Sequence, residues 1–122
     1  DLSLDYPDFL IASSEWFAFV PAKEYFDEPG DHADELETSV MMHYHPELVN
    51  LDEAGDGNYK KFASQMLNEK VAWIPRNWQK VSQDTGIGNP KKASAEKGKK
   101  YAEAVVAKYA LLFEELVHKE LY

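Results

Sequence analysis

Only two stretches of this chain are patterned as buried strands. They are Phe9 to Ser13, after Pro7, and Val71 to Ile74, closed by Pro75. Short continuous apolar runs suit strands covered on both faces, as in parallel sheets. A sheet usually carries about 4–6 strands, so two make a thin one. Either further strands escape the pattern, or the rest of the sheet comes from another polypeptide segment. With 122 residues, 44% of them hydrophobic, the chain has the length of one globular domain and enough apolar material for a core.

The helices are easier to read. Ser94 is a candidate N-cap, with Glu96 in the first turn. Tyr101, Val105, Tyr109, Leu112, Phe113 and Leu116 then form an apolar stripe, read as core packing. A second helix is expected to start with Asp31 as N-cap and Asp34 three residues on, and to end before Pro46. Its apolar face is Leu36, Val40, Met41 and Tyr44. Ala18 to Tyr25 reads as a short helix or loop broken by Pro21, and Lys60 to Leu67 as a short helix. Asp52 to Asn58 and Thr85 to Pro90 are loops rich in turn formers. The second loop carries two glycines but neither the dinucleotide nor the P-loop pattern.

Composition removes whole classes of function. A formal net charge of -9 disfavours nucleic acid, which needs a basic face, and disfavours an anionic membrane surface. No apolar run approaches the ~20 residues of a membrane span. No signal-peptide pattern opens the chain, so a cytoplasmic protein is expected. Without cysteine, any metal site must use His, Asp and Glu.

The densest chemistry lies in Asp31-His32-Ala33-Asp34-Glu35-Leu36-Glu37, directly after Pro29-Gly30. At a helix start such a cluster can do acid–base work, hold a metal through His32, Glu35 and Glu37, or cap the helix. On an ideal helix His32 and Glu37 lie ~140° apart and share no narrow face. Glu37 then orients a neighbouring group or serves as a buried helix carboxylate. His43 and His45 are ~200° apart by the same reckoning and make poor joint ligands. His118 reads as a surface residue, and Trp73 and Trp78 as packing residues.

Three blocks, in order, resemble the C-terminal half of the creatininase family (creatinine amidohydrolases and relatives). The first is Ser13-Ser14-Glu15-Trp16. The second runs from His32 through Glu37-Thr38-Ser39 to His45-Pro46-Glu47-Leu48-Val49. The third is Thr85-Gly86-Ile87-Gly88-Asn89-Pro90 followed by Ala93-Ser94-Ala95-Glu96-Lys97-Gly98. The resemblance covers nearly the whole chain. It implies an α/β fold, the C-terminal part of a three-layer α/β/α domain, with residues 1–122 as half of that single domain. It further implies hexamers or other homo-oligomers, and hydrolysis of a cyclic or other small amide at a paired zinc or manganese site.

The family's metal ligands lie mainly in its N-terminal half, in a Glu-x-His pair, a downstream Asp and a Gly-His-x-x-Asn segment. None of these occurs here. The expected partners are therefore the missing N-terminal half and a small-molecule amide, with the chain inactive alone and no metal ligand of its own. By the same resemblance His32 is the active-site histidine, acting on substrate or shuttling a proton. Glu37 is the carboxylate of the Glu-Thr-Ser block. Trp16 is a substrate-pocket tryptophan, or plain core. Glu28 stands where creatininase proper has a second pocket tryptophan, and Asp31 lies beside it on the substrate side. Asp34 replaces a customary glycine, adding charge and bulk near the site. The rival reading is a non-catalytic structural or assembly module that keeps the family fold.

Overall fold

The structure, a computed structural model, describes residues 2–120. Helices α1 (Leu2–Asp5), α2 (Glu35–Tyr44), α3 (Gln65–Asn68), α4 (Trp78–Val81) and α5 (Ala95–His118) alternate with irregular chain. Single 3₁₀ turns lie at Trp16–Ala18, Ala22–Glu24 and Pro46–Leu48.

Two helices carry the core. The Ser94 hydroxyl starts α5 by accepting the Lys97 N–H at 3.3 Å. Tyr101 and Val105, one helical turn apart on its stripe, pack with Leu36 of α2 and with Val20 and Phe26 of the preceding loop. Tyr101 is fully buried. Its hydroxyl donates to the Phe17 carbonyl at 2.8 Å, which satisfies a polar group that burial would otherwise penalise. Burial is also the main reason its ionisation is pushed upward. Further along α5 the stripe thins, and Phe113 is 60% exposed.

The face of α2 that meets α5 differs from the apolar face expected. Met41 and Tyr44 are exposed, while Glu35, Leu36 and Ser39 point inward. The inward polar groups are all paired. One Glu35 oxygen meets Lys97 Nζ at 2.5 Å and the other accepts the Glu28 N–H at 2.6 Å. Ser39 Oγ accepts the Ser94 N–H at 3.1 Å. A Cβ on Gly98 would lie 1.9 Å from the Ser39 carbonyl oxygen, so glycine is what lets the two helices approach. Polar residues that find partners across a crossing can be buried, and no hydrophobic pattern announces them.

The two expected strands do not form. Residues 10–15 and 73–77 carry no regular structure, and Phe9 and Trp73 are 70% and 83% exposed. A strand exists only where a neighbour supplies N–H and C=O groups. Among the described residues the one β contact is an isolated antiparallel bridge between His32 and Ile87. The three-layer α/β/α arrangement is therefore not built by these residues, whose regular structure is helical. Lys60 to Leu67 is helical only from Gln65 onward. The loops at Asp52 to Asn58 and Thr85 to Pro90 are as expected, and Pro46 ends α2, with His45 as C-cap.

Candidate active site

Helix α2 begins three residues later than expected, with Asp34 rather than Asp31 as N-cap. One Asp34 oxygen accepts the Glu37 N–H at 2.9 Å and the other the Gly30 N–H at 2.5 Å. Glu37 reaches back to accept the Ala33 N–H at 2.7 Å, a close variant of the reciprocal capping box. Asp34 is buried and consumed by these bonds. Its side chain faces the backbone of the turn and does not line the cavity described next. Gly88, at φ 125°, passes so close that a Cβ there would sit 2.7 Å from the Asp34 Cβ.

His32 consequently lies outside the helix. Ala33 takes the left-handed backbone conformation, φ 49°, uncommon for a residue with a Cβ. The helical separation between His32 and Glu37 does not apply across that bend. His32 Nδ1 comes within 3.8 Å of Glu37 Oε2, beyond hydrogen-bond distance but close enough for electrostatic coupling. The His32 backbone is held from behind, donating to the Ile87 carbonyl at 3.1 Å and accepting the Ile87 N–H at 2.8 Å. The glycine-bearing loop thus backs the histidine.

Glu37 lies on the wall of an open cavity of about 450 Å³, with Trp16, Val40, Met41 and Leu48 as apolar neighbours and Asn50 as a polar one. Apolar walls with few polar groups are what small-ligand sites look like. Trp16 is both wall and core edge, meeting the Tyr101 ring edge-on with centroids 6.2 Å apart. Of the expected residues only Trp16 and Glu37 line this cavity, and His32, Glu28 and Asp31 do not. Glu28 pairs with Lys92 at 2.7 Å, raising that lysine's pKa through their hydrogen bond. Asp31 pairs with Arg76 through two 2.6 Å hydrogen bonds.

Among the described residues no group of three or more His, Asp or Glu is placed to hold a metal ion. The trio His32, Glu35 and Glu37 does not converge, because Glu35 is turned into the α2–α5 crossing toward Lys97. His45 pairs with Glu47 at 3.2 Å. Sequence reasoning missed Arg76 and underrated Trp78, whose ring lies 4.9 Å from that of His32. Nothing in their spacing signals contact with a residue more than 40 positions earlier.

Residues 6–113 match the family model Creatininase, described as creatinine amidohydrolase. A solved structure from Bacteroides fragilis, described as a candidate creatinine amidohydrolase, is 61% identical to the chain with a TM-score of 0.90. The match covers 99% of this chain and 48% of that one, so the chain spans about half the length of this relative. No curated protein matches the chain.

Proposed function

The chain belongs to the creatininase family, and from that membership we propose that it is the C-terminal part of an amidohydrolase acting on a small amide, cyclic or otherwise. The observation that carries this reading is the pairing of His32 with Glu37 at the mouth of α2, beside a cavity walled by Trp16. With Glu37 facing Nδ1 at 3.8 Å, Nε2 is the nitrogen left open toward a substrate. His32 then hands a proton to the leaving nitrogen or stabilises the charge that develops on the carbonyl oxygen. Glu37 orients the ring, and Trp16 supplies apolar contact.

A metal-activated water, on paired zinc or manganese ions, belongs to the same reading. Among the described residues no such site is composed, and the same reading assigns those ions to residues outside this chain. Assembly into homo-oligomers such as hexamers and a cytoplasmic location also belong to this reading. No helix among the described residues is long and apolar enough to cross a membrane.

The test is His32→Ala in the full-length protein, assayed on a panel of small cyclic and formyl amides. Turnover is expected to fall about 10²- to 10⁴-fold with metal content unchanged. Undiminished turnover overturns the role, and loss of the metals moves His32 into the ligand set. One observation favours the rival reading of a structural module. Glu35, Ser39, Ser94, Lys97 and Gly98, which fill two of the family blocks, all serve the α2–α5 crossing. Absence of turnover in the wild-type protein with metals bound would support it.

A further inference from the structure

Asp31 and His32, adjacent in sequence, are each held by one of two near neighbours, Arg76 and Trp78. The Arg76 guanidinium grips both Asp31 oxygens at 2.6 Å, a planar, directional pairing that lysine cannot copy. That hydrogen bonding is also the leading reason the Arg76 pKa is raised. The same guanidinium lies 5.5 Å from the Trp78 ring centroid, within cation–π range. The Trp78 ring in turn lies 4.9 Å from the imidazole, tilted by 46°. Carboxylate, guanidinium, indole and imidazole thus close a loop through the Asp31–His32 peptide. The far end of α4 is anchored as well, with the Val81 carbonyl accepting the Lys60 N–H at 2.7 Å.

We propose that Arg76 and Trp78 are positioning residues for His32. Trp78 fixes the plane of the imidazole, and the Arg76–Asp31 pair latches Trp78 in place. Glu37 faces Nδ1, while Nε2 has no hydrogen-bond partner among the described residues and is the nitrogen presented to substrate. The half-exposed imidazole, with 45% of its side chain accessible, is not fixed by burial. A ring free to rotate would spend little time in a reactive pose. The inference rests on His32 being the reacting group.

The experiment reads two quantities in the full-length protein, the imidazole resonances of His32 and the turnover of small amides. Trp78→Ala is expected to abolish the indole ring-current shift on His32 and to lower kcat about 10- to 100-fold with a smaller change in KM. Trp78→Phe should restore part of both, whereas Arg76→Lys should move the His32 resonances as Arg76→Ala does. Should Trp78→Ala fail to fold, Arg76→Lys decides the matter. Shifted resonances support the latch, and unmoved ones overturn it. Unmoved resonances in a folded Trp78→Ala protein overturn the inference directly, even where His32→Ala is inactive. Full turnover in His32→Ala overturns the functional reading instead, and leaves the resonance arm to judge the geometry alone.

Discussion

Asp34 accepts two backbone hydrogen bonds with one carboxylate, from Glu37 inside α2 and from Gly30 outside it. Three residues earlier, Asp31 has the same side chain and spends it on Arg76. Sequence spacing put Asp31 at the N-cap and Asp34 in the first turn as its capping-box partner. What separates them is the bend at Ala33, which starts the helix after it and leaves His32 outside. Asp34→Ala is expected to destabilise the protein by about 1–2 kcal/mol and to free the His32 end of α2. Urea unfolding measures the first effect, and a change within a few tenths of a kcal/mol would show that the cap is not used. The family block singled out His32 in the sequence. Its distance from Glu37 was not legible there, because a helical wheel assumes helix on both sides of the bend.

Between elements, the crossing of α2 and α5 is fastened by Lys97, which meets Glu35 at 2.5 Å and Asp27 at 2.8 Å. Hydrogen bonding to Asp27, and then to Glu35, raises the Lys97 pKa, and the hydrogen bond from Lys97 lowers that of Asp27. The signs give a two-sided window. A lysine raised on folding contributes its full stabilisation below its unfolded value and loses it as pH rises through the folded value. A depressed carboxylate contributes above its unfolded value and loses that contribution as pH falls through the folded one. Thermal midpoints followed by circular dichroism should therefore decline on the alkaline side of the ordinary lysine range. Lys97→Met should lower the plateau and flatten that alkaline limb. Equal limbs in the two proteins would show that Lys97 is solvated. Helix α5 and its Ser94 cap were plain in the sequence, since a cap and a 3.6-residue stripe are local signals. The inward Glu35 and Ser39 were not, because their burial depends on partners more than 50 residues away.

At the scale of the whole molecule, the chain shows apolar side chains that its own described residues leave uncovered: Phe9, Leu10 and Ile11 at one end, Val71, Trp73 and Ile74 in the middle. Extended apolar segments with unpaired backbone invite association. The isolated 122-residue chain is expected to self-associate, with a sedimentation coefficient that rises with concentration and falls in Trp73→Lys. A single 13.9 kDa species at every concentration would show these segments to be tolerated in water. By itself the sequence determined what acts over a few residues: the cap and stripe of α5, the stop of α2 at Pro46, the turn-rich loops, and the blocks that mark the family. Only the tertiary structure decided that the strand-like runs find no sheet, that α2 turns a charged face inward, and that His32 sits between Glu37 and Trp78. The physical reason is range. Caps, turns and periodicity are settled by neighbours along the chain. Strand pairing, burial of charge and the orientation of a half-exposed imidazole are settled by groups that only folding brings near.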